Sequence, residues 1–117
     1  MSGKRLDSAG SGYLRDTLGL LVLRALADGP RHGYSIMRWL ESTSAEALHI
    51  DEGALYPALH RLEDRGWVRS EWGLSESKRR ARFYRLTASG RARLRRELER
   101  WRSHARAVER ILGADGG

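Results

Sequence analysis

The stretch Asp51-Glu-Gly-Ala-Leu-Tyr-Pro-Ala-Leu-His-Arg-Leu-Glu-Asp-Arg-Gly66 has the pattern of a short helix with a marked start and a marked end. Asp51 is placed to cap the helix by accepting a hydrogen bond from a first-turn amide. Gly66 can end it in a left-handed conformation. Leucines recur at helical spacing along one face, at Leu55, Leu59 and Leu62. The sequence therefore predicts an amphipathic helix with one buried face.

The opposite face of this helix carries small residues and a few polar tips. They are Gly53, Ala54, Tyr56, Pro57, His60 and Arg61. Small residues let a helix approach another surface closely, and the major groove of DNA admits an α-helix. The pattern is typical of a recognition helix. Pro57 removes one amide donor inside the helix. We interpret the resulting kink as setting the angle at which Gly53 and Ala54 meet DNA, and the alternative is a kink that is merely tolerated.

Length, charge and residue usage limit the class of protein. A chain of 117 residues predicts one domain with a modest core, which a dimer interface would enlarge. The formal charge of +7 suits an anionic partner such as nucleic acid, although a solvated, salt-bridged surface would also explain it. The absence of Cys excludes disulfides and thiolate metal sites. No apolar run approaches membrane-spanning length and no signal peptide opens the chain, so we expect a soluble cytoplasmic protein.

The segment before the recognition helix predicts an arm and a first helix. Residues 1–12 are small, polar and rich in Gly and Ser, which predicts a flexible N-terminal arm. Apolar residues then recur at helical spacing from Leu14 to Ala25 and predict the first helix. Asp28-Gly29-Pro30 ends it, because Gly permits a left-handed cap and Pro cannot continue a helix.

A second helix is predicted from about His32 to Glu41. Amides at a helix start favour a phosphate, and Tyr34 and Ser35 could add hydroxyl donors there. The alternative is that Tyr34 only packs. Further on, Leu48-His49-Ile50 could add one minor strand.

A β-hairpin is predicted after the recognition helix. Its strands are Trp67–Trp72 and Ala81–Leu86, and a polar, turn-like segment separates them. Four cations fall within five residues, which we place at the hairpin tip. They are Lys78, Arg79, Arg80 and Arg82. A solvated loop would explain some of them, but four at one tip favour contact with phosphates and the minor groove.

The last predicted helix begins after the capping residue Thr87 and runs to about Leu112. Its apolar residues are Leu94, Leu98, Trp101, Ala105, Val108 and Leu112, spaced 4, 3, 4, 3 and 4. We call this row the seam. Such a narrow heptad row is typical of a coiled coil, so the seam should meet the seam or the first helix of a second copy.

The resulting fold class is mainly α with a small β-hairpin. Three helices followed by a hairpin are the order of a winged helix-turn-helix, which we assign to residues 13–88. Residues 89–112 then form a long C-terminal dimerisation helix, and residues 113–117 a disordered tail.

The chain resembles the PadR-type transcriptional regulators, in the short form with a single C-terminal dimerisation helix. Four stretches carry the resemblance. They are His32-Gly33-Tyr34, Glu52-Gly53-Ala54-Leu55-Tyr56-Pro57-Ala58-Leu59 with Arg61-Leu62-Glu63, Glu71-Trp72-Gly73, and Arg79-Arg80-Ala81-Arg82-Phe83-Tyr84-Arg85-Leu86-Thr87. Each is weak alone, but together and in this order they are specific. The resemblance covers nearly all of residues 18–112.

The resemblance implies a homodimer that binds a pseudo-palindromic operator in double-stranded DNA and, as in most members, represses transcription. Some members respond to phenolic acids and others to planar cationic drugs, so a small aromatic or cationic effector is implied. In drug-responsive members an aromatic residue of the last helix lines a pocket between subunits, and Trp101 falls at a comparable place. Ala54 departs from the family pattern, where Ser or Thr is common, which removes one hydroxyl contact to DNA.

Other classes of function have less support in the residues. The four His residues show no metal-ligand pairing, and no cofactor motif or catalytic arrangement is present, so we expect no enzyme, no metal and no cofactor. Two alternatives remain. One is a winged-helix module that binds an acidic protein, and the other is a ligand-binding dimer without a primary DNA role.

Overall fold

The computed structural model describes the backbone of residues 6–7 and 12–114 and the side chains of residues 17–114. Its four helices are α1 (Gly12–Ala25), α2 (Gly33–Thr43), α3 (Glu52–Asp64) and α4 (Ala88–Leu112). Its five strands are β1 (Leu6–Asp7), β2 (Arg31–His32), β3 (Leu48–His49), β4 (Val68–Leu74) and β5 (Arg80–Leu86). The order of three helices, hairpin and long helix is the predicted one.

The core lies between the first three helices and the base of the β4–β5 hairpin. The largest fully buried side chains come from the first three helices and from the turn directly after α1, and they are Val22, Leu23, Leu26, Ile36, Leu55 and Leu59. Val68, Tyr84 and Leu86 add the buried base of the hairpin to the same cluster. The hairpin therefore rests on the helical core at one end and extends away from it at the other.

The start and end of α3 confirm the two signals in its sequence. The carboxylate Oδ1 of Asp51 accepts a hydrogen bond from the amide of Ala54 at 3.0 Å. Gly66 has a φ of 77°, a left-handed conformation that favours glycine. The predicted leucine face is buried in the core. The local sequence alone therefore positions this helix, with its other face outward.

The hairpin, which we call the wing, is longer than the sequence predicts. β4 and β5 pair antiparallel from Val68–Leu86 at the base to Leu74–Arg80 at the end. The connecting loop shrinks to residues 75–79, so the prediction that all four cations lie at the tip is wrong. Arg80, expected in the loop, lies on β5, and Arg82 lies on β5 within the strand that was predicted. The physical reason is that the backbone ladder continues through polar residues whose alternation is hard to read from sequence.

A third strand joins the wing and was not predicted. β2 pairs antiparallel with β5, and the partners are Arg31 with Tyr84 and His32 with Phe83. The segment between α1 and α2 therefore does more than connect them. It holds the start of α2 against the second strand of the wing.

α4 is joined tightly to the end of α3. Thr87 caps α4 as predicted, since its hydroxyl oxygen accepts from the amide of Gly90 at 3.0 Å. The same hydroxyl donates to the carbonyl of Gly66 at 2.6 Å. Gly90 lies so close to the carbonyl oxygen of Trp67 that a side-chain carbon would overlap it. These contacts fix α4 to the turn that follows α3.

The N-terminal segment is described only in part. β1 pairs parallel with β3, which supplies the minor strand expected near Leu48. The remainder of the predicted arm before Gly12 lies outside the described residues, as do residues 115–117 of the predicted tail. The division of the chain into arm, winged domain, dimerisation helix and tail stays a prediction. Within the described part of the chain, no helix is both long enough and apolar enough to cross a membrane.

Candidate nucleic-acid interface

The outward face of α3 presents a strip of small and polar residues. Its members are exposed and follow helical spacing: Gly53, Pro57, His60 and Arg61. Ala54, at the edge of the strip, is half-buried and packs against the core. A helix with this face has little side-chain bulk to keep it out of a groove.

Pro57 lies inside a helix that continues without a break from Glu52 to Asp64. Because proline has no amide hydrogen, the carbonyl of Gly53 loses its usual helical partner. Gly53 is exposed and has no side chain. On the outward strip, the Gly53 carbonyl therefore lacks the amide donor that a residue other than proline would supply at position 57.

Tyr56 joins α3 to the start of α2. Its ring and hydroxyl lie against Gly33, so closely that a side-chain carbon at residue 33 would overlap them. Burial raises the pKa of the Tyr56 hydroxyl, with a smaller contribution from the negative charge of Glu52. Tyr56 is thus half-buried, and its aromatic ring sets the distance between the two helices.

The start of α2 carries polar groups that point in different directions. The ring nitrogen Nδ1 of His32 accepts from the amide of Ser35 at 3.2 Å, so histidine caps this helix. The Ser35 hydroxyl accepts from Arg31 at 3.4 Å. Tyr34 lies outside the core with 60% of its surface exposed. Its hydroxyl accepts from Arg38 at 3.0 Å, a hydrogen bond that raises the pKa of that guanidinium.

The wing carries positive charge that no carboxylate neutralises. Among the described residues, none of the four predicted cations forms an ion pair, whereas Arg85 on the opposite face lies 4.0 Å from Glu71. Arg80 and Arg82 instead lie over the ring of Trp72, at 4.7 Å and 5.7 Å from its centroid. Trp72 was not among the predicted site residues, although the alternation of β4 places it opposite Arg82. Lys78 and Arg79 lie in the loop at the tip.

The seam on α4 divides into a covered part and an uncovered part. Leu94 packs against the core of its own chain. Beyond it, Leu98, Ala105 and Val108 are only half-buried, and Trp101 and Leu112 expose 45% and 75% of their surface. The uncovered apolar row of this chain therefore begins at Leu98.

Comparison with known proteins agrees with this architecture. The family model "Transcriptional regulator PadR-like family" matches residues 22–96, which include α2, α3, the wing and the first part of α4. The chain belongs to the PadR-like family of transcriptional regulators. The match covers more than half of the chain and includes the outward strip of α3 and the wing, but not the seam residues from Leu98 onward.

Two sequence relatives and one solved structure illustrate the PadR-like likeness. A 37.1 kDa protein in transposon TN4556 of Streptomyces fradiae is 47% identical over 93 residues, which cover 80% of this chain and 24% of that protein. The chain thus spans about a quarter of the length of that relative. The transcriptional regulator Rv3488 of Mycobacterium tuberculosis is 38% identical over 91 residues, covering 74% of this chain and 80% of that protein. The crystal structure of a PadR family regulator from Eggerthella lenta superposes with a TM-score of 0.72 at 33% identity, covering 88% of each chain.

These PadR-like matches confirm the fold class and the family resemblance that the motifs indicated. The roles of individual residues in binding DNA, in dimerisation and in binding a ligand stay predictions. Among the described residues, no group of three or more His, Asp or Glu is arranged to hold a metal ion. The chemistry that the PadR-like interface offers is hydrogen bonding and positive charge.

Proposed function

We propose that the protein represses transcription by binding a pseudo-palindromic operator as a homodimer. The observation that carries this proposal is the outward strip of α3 beside a wing whose four cations are not neutralised by carboxylates. A groove with phosphates on both sides is complementary to such a surface. Membership of a family of transcriptional regulators supports the same function.

The proposed contacts divide into those that read bases and those that bind phosphates. The strip of Gly53, Pro57, His60 and Arg61 enters the major groove, with Ala54 and Tyr56 at its half-buried edge. Tyr34 and Ser35 at the start of α2 bind a phosphate. The wing cations, Lys78, Arg79, Arg80 and Arg82, bind phosphates and the adjacent minor groove.

The proposed dimer forms through the uncovered seam of α4. Exposed apolar rows of this kind are typical of protein interfaces. Pairing two chains would also supply the two-fold symmetry that a pseudo-palindrome requires. A regulator of this kind works where the chromosome is, so we keep the cytoplasm as its expected location.

The function is tested by selecting bound sites from random double-stranded DNA. We expect enrichment of two related half-sites whose centres lie roughly 34 Å apart or a multiple of that distance. His60→Ala should change the enriched sequence, because it alters the strip that faces the bases. If no sequence is enriched, and an acidic protein displaces bound DNA as well as unlabelled DNA does, the protein-interaction module is favoured instead.

The wing is expected to contribute charge and not sequence preference. Arg79→Ala or Arg80→Ala should weaken binding to all DNA sequences and lower the slope of log affinity against log salt by about one for each lost contact. Arg85→Ala is the matched control, since Arg85 lies on β5 as Arg80 does but contacts Glu71 on the opposite face. Affinities are measured by fluorescence anisotropy at several salt concentrations. Unchanged binding of both wing variants at every salt concentration would contradict this assignment.

Trp101 is expected to bind an effector at the dimer interface. If the two-fold axis passes near it, two indole rings face each other and offer flat faces that attract planar aromatic cations. A ligand preferring a spread dimer would then release DNA. Planar cationic and phenolic compounds are titrated while Trp fluorescence is followed. Trp101→Ala should abolish the response, and Trp72→Phe should not. The opposite reading is that Trp101 only packs, and an unchanged response in Trp101→Ala would support it.

A further inference from the structure

Three side chains form a hydrogen-bonded chain that links the recognition helix to the wing. Arg82 on β5 donates through Nε to the hydroxyl oxygen of Ser70 on β4 at 2.9 Å. Ser70 in turn donates its hydroxyl hydrogen to Oε2 of Glu63, in the last turn of α3, at 2.7 Å. We call this chain the relay. It spans the helix, the first strand of the wing and the second.

The guanidinium of Arg82 is also held by an aromatic ring. Trp72 is directly opposite Arg82 in the strand pairing, and the guanidinium carbon lies 5.7 Å from the centroid of the indole. The bond to Ser70 uses the Nε–H, one of five donors on the group. Among the described residues, no hydrogen bond or ion pair uses its terminal nitrogens. Those nitrogens can therefore meet a phosphate end-on, in a bidentate arrangement.

Ser70 lies between a carboxylate and a guanidinium that form no ion pair with each other. A direct pair between Glu63 and Arg82 would orient the arginine but would also neutralise its charge. With the serine between them, the carboxylate orients the hydroxyl and the hydroxyl orients the arginine. The positive charge stays available to an anionic partner.

The geometry points to Ser70 as a positioning residue for DNA binding: we propose that it holds Arg82 aimed at an operator phosphate. This inference rests on the proposed function. Ordering a long side chain at an interface costs about 0.5–1.5 kcal/mol of binding free energy. Because the relay already orders Arg82 in the folded protein, binding does not incur this cost. Ser70 itself need not touch DNA.

The first test is the affinity of Ser70→Ala for the selected operator. That variant should bind roughly two- to twelvefold more weakly, which is the ordering cost converted to affinity. Ser70→Thr keeps the hydroxyl and should bind as the wild type does. Ser42→Ala, which removes an exposed serine at the end of α2, is the matched control and should also bind normally. Thermal unfolding of each variant shows whether the fold is retained.

The second test separates positioning from a general structural role. Ser70→Ala keeps every phosphate contact, so its salt slope should equal that of the wild type, while Arg82→Ala should lower the slope by about one. In the Arg82→Ala background, Ser70→Ala should cause no further loss of affinity. An additive loss would show that Ser70 acts independently of Arg82, and wild-type affinity in Ser70→Ala would overturn the proposal.

Failure of this inference can be told from failure of the proposed function. If the wild type selects no DNA, the function itself is wrong and the relay has no operator to serve. If the wild type selects an operator and Ser70→Ala binds it equally well, only the positioning role is wrong.

Discussion

A protein carrying both Leu98→Glu and Val108→Glu is expected to sediment as a monomer and to lose operator binding. Both residues lie on the uncovered part of the seam, where a carboxylate would be buried against apolar surface in a dimer. A monomer engages only one half-site. Because linked binding events can strengthen affinity by about 10²–10⁴-fold, a loss of that size is expected. Analytical ultracentrifugation and anisotropy on the same samples measure the two effects.

The matched control adds the same two charges to another face of the same helix. Ser103→Glu and Ala107→Glu are exposed positions away from the seam. This pair should leave the dimer intact and reduce DNA affinity only by the general effect of negative charge. Sedimentation of the Leu98/Val108 variant as a dimer would place the interface elsewhere.

Gly90→Ala is expected to destabilise the fold, although alanine is the better helix former by about 1 kcal/mol. The added carbon would overlap the carbonyl oxygen of Trp67, which belongs to the backbone and cannot rotate away. Overpacking of this kind costs about 1–3 kcal/mol. The melting temperature should therefore fall by several degrees, measured by circular dichroism at fixed protein concentration.

Gly19→Ala provides the comparison for Gly90→Ala. Gly19 lies within α1, and among the described residues a carbon added there would meet only Leu62, at an ordinary distance of 4.0 Å. The same substitution should then be neutral or stabilising by up to about 1 kcal/mol. A melting temperature of Gly90→Ala at or above that of the wild type would mean that the start of α4 can shift away from Trp67.

The parts of the structure that sequence could predict depend on neighbouring residues. Asp51 and Thr87 could be recognised as helix caps because each side-chain oxygen accepts from an amide only three residues further along the chain. Gly66 ends α3 for a similarly local reason. The leucine face of α3 follows from helical periodicity alone. These signals predicted the start, the end and the buried face of α3 correctly.

The parts that sequence could not predict depend on residues far apart in the chain. The two residues of β2 show no alternation and become a strand only because β5 lies beside them. His32 caps α2 although histidine is not a usual capping residue. Glu63, Ser70 and Arg82 meet only after the wing folds back on α3. The assignment of Arg80 to the tip failed because the ladder extends further than the apolar pattern.

The tight junction of α3 and α4 means that a rotation of α4 also moves α3. Since Thr87 and Gly90 fix its first turn to the end of the recognition helix, the two helices must rotate together. A helix of 25 residues is about 37 Å long. If α4 rotated by about ten degrees around its C-terminal end, its N-terminal end beside α3 would move by roughly 6 Å, about half the width of a major groove. In the proposed dimer, an effector that changed the crossing angle of the two α4 helices by this amount would move the α3 helix of one subunit out of the groove without contacting it.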